Sequence, residues 1–160
     1  MASNLPERVS FEPARGKHIL IALSGGADSV VLLMLMARAR EKYAMRVTAA
    51  HLNHMIRGSD ADGDQRFCEE LCDRENVPLI TDRIDVLRIA RETGRGLETA
   101  ARDARYGFLY ECAKRAGADL IALAHHADDQ AETVLMHLLR GAGSDGLSAM
   151  AERSGVLYRP

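Results

Sequence analysis

The feature that most constrains this chain is an alternation of two kinds of apolar segment. Short runs that are apolar at nearly every position end in turns, and each is followed by a longer stretch with apolar residues at helical spacing. Residues 18–23 (HILIAL) form such a run, ending at Ser24, Gly25 and Gly26, and residues 28–42 then carry a long apolar helix closed by charge. Continuous apolarity suits a strand buried on both faces, whereas a strand buried on one face would alternate. The theme recurs. Residues 46–52 read as a second strand, 62–75 as a helix, 78–84 as a third strand capped by Asp85, 86–93 as a short helix and 97–116 as a long one. Residues 119–124 read as a fourth strand, 129–139 as another helix, 141–146 as a loop and 156–159 as the start of a fifth strand. Right-handed crossovers between successive strands place helices on both faces of a parallel sheet. The predicted fold is therefore α/β, a doubly wound parallel sheet in a three-layer αβα sandwich.

Composition narrows the function. With 160 residues, 47% hydrophobic, the chain has the size of one domain able to build a core without metals or disulfides. Residues 1–16, with Pro6, Pro13 and Gly16 among scattered charges, show no period and read as an N-terminal arm to a domain over 17–160. The longest apolar stretch, residues 30–37, runs eight residues and falls short of the roughly 20 that a membrane helix needs. No apolar segment follows a basic N-terminus as in a signal peptide, so a cytoplasmic protein without membrane partners is expected. Three cysteines, Cys68, Cys72 and Cys112, lack the spacing of a zinc knuckle or redox pair and read as reduced, buried thiols. A net charge of -2 argues against a surface built throughout for nucleic acid, though not against a local patch.

The turn Ser24, Gly25, Gly26, Ala27, Asp28, Ser29 lies beyond the carboxyl end of a strand and opens a helix, where open α/β sheets place ligands. Two glycines admit close approach of the backbone, successive N–H groups form a concave nest, and the helix N-terminus adds about half a positive charge. This chemistry favours an anion, with Ser24 and Ser29 as further donors. Asp28 would repel a bare phosphate, so its presence points to a divalent cation shared with phosphate oxygens. Neither GxxxxGK[ST] nor GxGxxG is matched. The plainer alternative is a tight turn with Ser or Asp as helix caps.

A doubly wound sheet would bring two further groups to the same edge: His51, Leu52, Asn53 and His54 with Arg57, and His125, His126, Ala127, Asp128 and Asp129. Asp129 and Glu132 share a helical face and suit one Mg²⁺, with His125 facing the same cavity, although acids in a first turn also answer the helix dipole. His51, His54 and His126 can equally be structural, and no spacing supports a zinc site. On the long helix Glu98, Arg102 and Arg105 make one charged stripe, while Ala101, Phe108 and Cys112 make an apolar one. The stripe is either a solvated, salt-bridged face or a source of one arginine turned inward to a phosphate.

Together these residues resemble the PP-loop ATP pyrophosphatase superfamily, whose SGGxDS signature is matched without a gap by Ser24 through Ser29. Within it the chain is similar to the N-terminal catalytic domain of the tRNA(Ile)-lysidine synthetase family. Three further blocks carry that likeness: His51, Leu52, Asn53 and His54 before Arg57; Glu98, Thr99, Ala100, Ala101 and Arg102 with Arg105 and Tyr106; and His125 through Thr133 with Leu138, Leu139, Arg140 and Gly141 after it. The resemblance implies a Rossmann-like, adenine nucleotide alpha hydrolase-like fold. It implies an enzyme that uses ATP and Mg²⁺ to adenylate the C2 oxygen of the wobble cytidine of tRNA(Ile) with a CAU anticodon. The amine of free lysine then displaces AMP. By residue match, Ser24 through Ser29, with His51, would bind the nucleotide; Asp28, Asp129 and Glu132 would manage Mg²⁺; and His125 and Arg105 would steady the α-phosphate or the base. The family also admits a homodimer and extends beyond the length seen here, so residues 17–160 are expected to be an ATP-binding domain cut short at its C-terminal end. Other readings of the same loop are a tRNA thiolase, an amide-forming synthetase, or a non-catalytic module that senses adenine nucleotides.

Overall fold

The apolar runs become the strands of one sheet. A computed structural model describes residues 11–56, 58–124 and 153–160, so the helix expected over 129–139 and the loop over 141–146 lie outside the described residues. In chain order the elements are β1 (His18–Ala22), α1 (Ala27–Ala39), β2 (Arg46–Asn53), α2 (Ser59–Glu75), β3 (Leu79–Arg83), α3 (Val86–Thr93), α4 (Leu97–Ala116), β4 (Leu120–Ala122), β5 (Arg153–Ser154) and β6 (Leu157–Tyr158). The strand order is β3-β2-β1-β4-β6-β5. β3, β2, β1, β4 and β6 run parallel, and β5 pairs antiparallel with β6 at the edge. The expected fifth strand is thus present as β6. The two-residue β5 went unread because so short a segment has no period.

Alternation across the central strands builds two cores. Ile19, Ile21, Val47 and Ala49 face α1 and α2, packing with Leu33, Met36, Cys68 and Leu71. Leu20, Ala50 and Ile121 face the other way and meet Leu109, Cys112 and Ala113 of α4. Each fully buried Leu or Ile contributes about 1.5–3 kcal/mol, which favours this two-sided arrangement over any register that exposes β1. The chain moves from β1 to β2 and β3 on one side, then crosses to β4 on the other. β1 therefore sits at the point where strand order reverses, with its carboxyl end open between diverging connections.

Local chemistry explains where the elements stop. α1 ends at Ala39, three residues before the expected limit, because the chain turns through Ala44 at φ 49° and buries Tyr43. The Tyr43 ring meets Phe11 edge-on at 5.9 Å, with the Arg15 guanidinium 5.0 Å from its centroid. Phe11 and Ala14, within the segment read as an arm, are fully buried in the core. Asp85 caps α3 and not the strand before it: its carboxylate accepts the Arg88 N–H at 2.9 Å. Asp119 stands just before β4 and accepts the His18 N–H at 2.8 Å, pinning the starts of β1 and β4 together. His18 itself is structural. Arg46 donates to its Nδ1 at 2.8 Å, which makes the 2.9 Å contact with Thr48 an Nε2–H donation.

Candidate functional site

The turn after β1 is held by its own serines. Ser29 is 4% exposed; its hydroxyl donates to the Gly26 carbonyl at 2.9 Å and accepts the Ser24 N–H at 3.1 Å. The Ser24 hydroxyl lies 3.1 Å from Ser29 Oγ and accepts the Gly26 N–H at 3.3 Å. Ser29, expected as a ligand donor, is therefore spent on shaping the loop, and Ser24 is partly so. Gly25 has φ +88°, a backbone region costly for any residue with a Cβ. Gly26, at φ -72° and ψ 156°, opens α1 without a side-chain cap. Among the described residues, the N–H groups of Gly25 and Ala27 meet no acceptor, which leaves donors at a helix N-terminus facing solvent. Asp28 is exposed in the first turn of α1. The capping alternative is not met, since no side chain caps α1 and Ser29 ties the turn together from inside the first helical turn.

Beside the turn lies a cleft of two adjoining lobes, about 420 and 520 Å³, each of a size that holds a small ligand. Ser24, Leu52, His54 and Arg105 line both. The first lobe has apolar walls from Ala22, Leu52, Phe108, Leu109 and Leu123, a surface that accepts a flat heterocycle. The second reaches across the strand ends to Gly25, Gly26, His51 and Asp64.

The end of β2 and the residue just after it carry two histidines with different surroundings. His51 is 3% exposed, and its Nδ1 donates to the Leu23 carbonyl at 2.8 Å. Cys68 Sγ lies 3.4 Å from the same nitrogen, while Nε2 is buried and has no partner among the described residues. His54 also keeps a buried Nδ1 that has no partner among the described residues. Burial, then the Arg105 and His51 charges, hold its pKa below the usual histidine value. His51 is half satisfied, whereas no side-chain hydrogen bond engages His54 among the described residues.

Asn53 was not assigned a role from sequence. It is 2% exposed and donates to the Ala61 carbonyl at 3.2 Å, to Asp62 at 3.1 Å and to Gln65 at 3.3 Å, while its carbonyl accepts the Met55 N–H at 2.9 Å. These bonds fasten the end of β2 to the start of α2, and Arg83 of β3 joins through an ion pair to Asp62. α2 thereby comes close enough that a Cβ on Gly25 would lie 3.6 Å from both Asp64 Cβ and Cys68 Sγ.

The charged stripe on α4 divides. No ion pair links Glu98, Arg102 and Arg105 among the described residues. Arg102 lies over the Tyr106 ring at 5.5 Å, and Arg105 lines both lobes. Glu98, Arg102 and Arg105 are all exposed, so the face is solvated without salt bridges among the three, and Arg105 borders the cleft. The three cysteines are buried thiols as expected; burial pushes Cys68 up to about 12 and Cys72 to about 11.

The structure thus gathers Ser24 through Ser29, His51 and Arg105 at one edge. His125, Asp129 and Glu132 lie outside the described residues, as do His126, Asp128 and Arg57. Among the described residues no three His, Cys, Asp or Glu side chains form a metal-binding group, and no helix is long and apolar enough to cross a membrane. The first observation does not conflict with a nucleotide-bound Mg²⁺, which takes one or two carboxylates and fills its remaining positions with phosphate and water.

Comparison with known proteins agrees with this geometry. The tRNA(Ile)-lysidine synthase of Clostridium tetani is 38% identical over 147 residues, covering 91% of this chain and 32% of that protein. That of Geobacter sulfurreducens is 44% identical over 144 residues, covering 90% and 30%. The chain therefore spans about a third of the length of the curated relatives it matches. In fold it is similar to the U34-tRNA thiolase NcsA of Methanococcus maripaludis, with a TM-score of 0.74 at 19% identity over 94% of this chain and 52% of that one. A family profile described as the PP-loop domain matches residues 3–160, and the glycine turn at the sheet's switch point is the structural counterpart of that match: the chain belongs to the PP-loop domain family.

Proposed function

We propose that this protein is an ATP-dependent ligase that joins lysine to C2 of the wobble cytidine of tRNA(Ile), with residues 17–160 carrying the nucleotide chemistry. The observation that carries the reading is the open row of donors on the glycine turn beside a cleft bordered by Arg105, in a chain related to proteins named tRNA(Ile)-lysidine synthase. The cytidine C2 oxygen attacks the α-phosphate of ATP and pyrophosphate leaves. The lysine amine then attacks C2, the C2–O bond breaks, and AMP departs with the oxygen and the bonding electrons. Each step builds negative charge on phosphate oxygens, and fixed donors in a partly dry cleft stabilise such charge better than water does.

The roles divide by chemistry. The N–H groups of Gly25 and Ala27 hold the polyphosphate, and the apolar first lobe receives a base. Arg105 pairs with the reacting phosphate, since its planar fork suits two oxygens at once. Asp28, with Asp129 and Glu132 contributed by the segment after β4, would hold Mg²⁺, which supplies charge neutralisation on the phosphates. His125 from the same segment would steady the α-phosphate or the base. The working setting is the cytoplasm, where tRNA and ATP meet, and a homodimer is part of the same reading.

A thiolase would need reactive cysteines, and the high pKa values and burial of Cys68 and Cys72 disfavour it. The test is incubation of the protein with ATP, Mg²⁺, L-lysine and unmodified tRNA(Ile). Pyrophosphate release together with base-bound lysine supports the ligase. Nucleotide binding without pyrophosphate indicates a sensor, and neither product refutes the reading.

A further inference from the structure

Charge is divided unevenly between the two faces of the sheet. α2, on the face it shares with α1, carries seven Asp and Glu against two Arg. α4 lies on the other face with α3 beside it. Residues 86–116, which span both helices, carry seven Lys and Arg against four Asp and Glu in a chain whose net charge is -2. All seven cations are exposed. Arg88 pairs with Glu92 and Arg95 with Asp103, which leaves Arg91, Arg102, Arg105, Lys114 and Arg115 with no ion-pair partner among the described residues. A polyanion is therefore drawn to the α4 face and repelled from α2.

The same helix adds rings to the cations. Arg102, Tyr106 and Tyr110 recur at i, i+4 and i+8, a row about 12 Å long on one face of α4. The Arg102 guanidinium stands 5.5 Å from the Tyr106 centroid, and the Tyr106 and Tyr110 rings lie 6.4 Å apart with a tilt of 32°. Tyr106 packs against the core that holds Leu109 and Ile121, so the row is anchored, whereas Tyr110 is 47% exposed. A ring pair at this spacing also steadies a helix, but that role calls for neither an exposed ring nor unpaired cations beside it. Aromatic faces flanked by cations are what single-stranded nucleic acid stacks on. The row begins at the cleft, because Ala101 and Arg105, the neighbours of Arg102 and Tyr106 in sequence, line its second lobe. We infer that this face of α4 is a stacking platform for unpaired RNA nucleotides: Tyr106 and Tyr110 receive bases flanking the target, and Arg102 meets the phosphates between them. The inference rests on the ligase reading only for its substrate, an RNA whose target base lies in an unpaired loop.

The test measures, by fluorescence anisotropy and without ATP or lysine, the binding of a labelled anticodon hairpin of tRNA(Ile) and of a fully paired RNA duplex of equal length. Tyr110 is exposed, so its substitution spares the fold. Tyr110→Ala should bind the hairpin roughly tenfold more weakly, Tyr110→Phe within about twofold of wild type, and both should keep wild-type affinity for ATP. Arg102→Gln should lower the slope of log affinity against log salt by about 0.7, the share of one phosphate on a single strand. The duplex, whose bases are already stacked, should bind at least roughly tenfold more weakly than the hairpin. Unchanged hairpin affinity in Tyr110→Ala, a Tyr110→Phe protein as weak as Tyr110→Ala, a duplex bound as tightly as the hairpin, or no hairpin binding at all would overturn the platform. Hairpin binding that depends on Tyr110 without any incorporation of lysine removes the ligase reading and leaves the platform standing. Lysine incorporation at limiting hairpin that is insensitive to Tyr110→Ala removes the platform alone.

Discussion

Replacing Gly25 by alanine separates the backbone's contribution from that of space. At φ +88° an L-residue is strained by about 1–2 kcal/mol, while the added Cβ would meet Asp64 Cβ and Cys68 Sγ at 3.6 Å, an ordinary contact. The cost is therefore conformational, and in a domain of this size it corresponds to a fall in melting temperature of roughly 2–8 °C. Gly26 is the internal control. Its φ of -72° suits any residue, and its Cβ would meet only Ser24 Oγ, at 3.4 Å. Gly26→Ala should melt within about 2 °C of wild type, since a slightly poorer cap offsets the reduced freedom of the unfolded chain. Both variants should bind ATP more weakly, Gly25→Ala because the turn relaxes and Gly26→Ala because the methyl group stands where phosphate approaches. Calorimetric melting with and without ATP and Mg²⁺ distinguishes them. A Gly25→Ala protein with unchanged melting temperature and unchanged ATP affinity would refute the role assigned to the turn.

Three further predictions probe the surrounding residues. Ser29→Ala leaves the Ser24 N–H without its acceptor and the Gly26 carbonyl with the Val30 N–H alone, and should lower unfolding stability by about 1–2 kcal/mol in urea titrations and weaken ATP binding; an unshifted midpoint contradicts this. Arg105→Ala, at an exposed position, should leave melting unchanged while cutting pyrophosphate release roughly a hundredfold, with Arg105→Lys restoring only part of it. His54 has a folded pKa below its unfolded value, so between the two the unfolded chain binds more protons and stability falls as pH drops below about 6.5. His54→Gln should flatten that segment of the stability curve between about pH 7.5 and pH 5.5, and a curve parallel to wild type would show that His54 takes no part in it.

Much of the fold could be read along the chain because its signals are local. α3 and α4 have the limits that periodicity and capping residues imply, with Gly117 closing α4 in the left-handed region at φ 65°. The doubly apolar β1 announced a central strand, and its glycine turn announced a ligand edge. What stayed illegible depends on contacts between distant segments. Asn53 looks like an ordinary polar residue until α2 lies against it. The single bonded nitrogen of His51 depends on the Leu23 carbonyl, just past the end of β1. Asp64 comes beside Gly25 only because the Asn53 clamp draws α2 to the turn. The charged stripe on α4 left two readings open, and only the position of α4 over the sheet sets the exposed Arg105 at the border of the cleft.

The most direct measurement is a crystal structure with a non-hydrolysable ATP analogue and Mg²⁺. The account predicts phosphate oxygens within hydrogen-bond distance of the Gly25 and Ala27 N–H groups, the base in the lobe walled by Leu52 and Phe108, and Arg105 on the α-phosphate. Phosphates bound away from the turn, for instance in the groove of Thr81, Glu111 and Arg115, would contradict it.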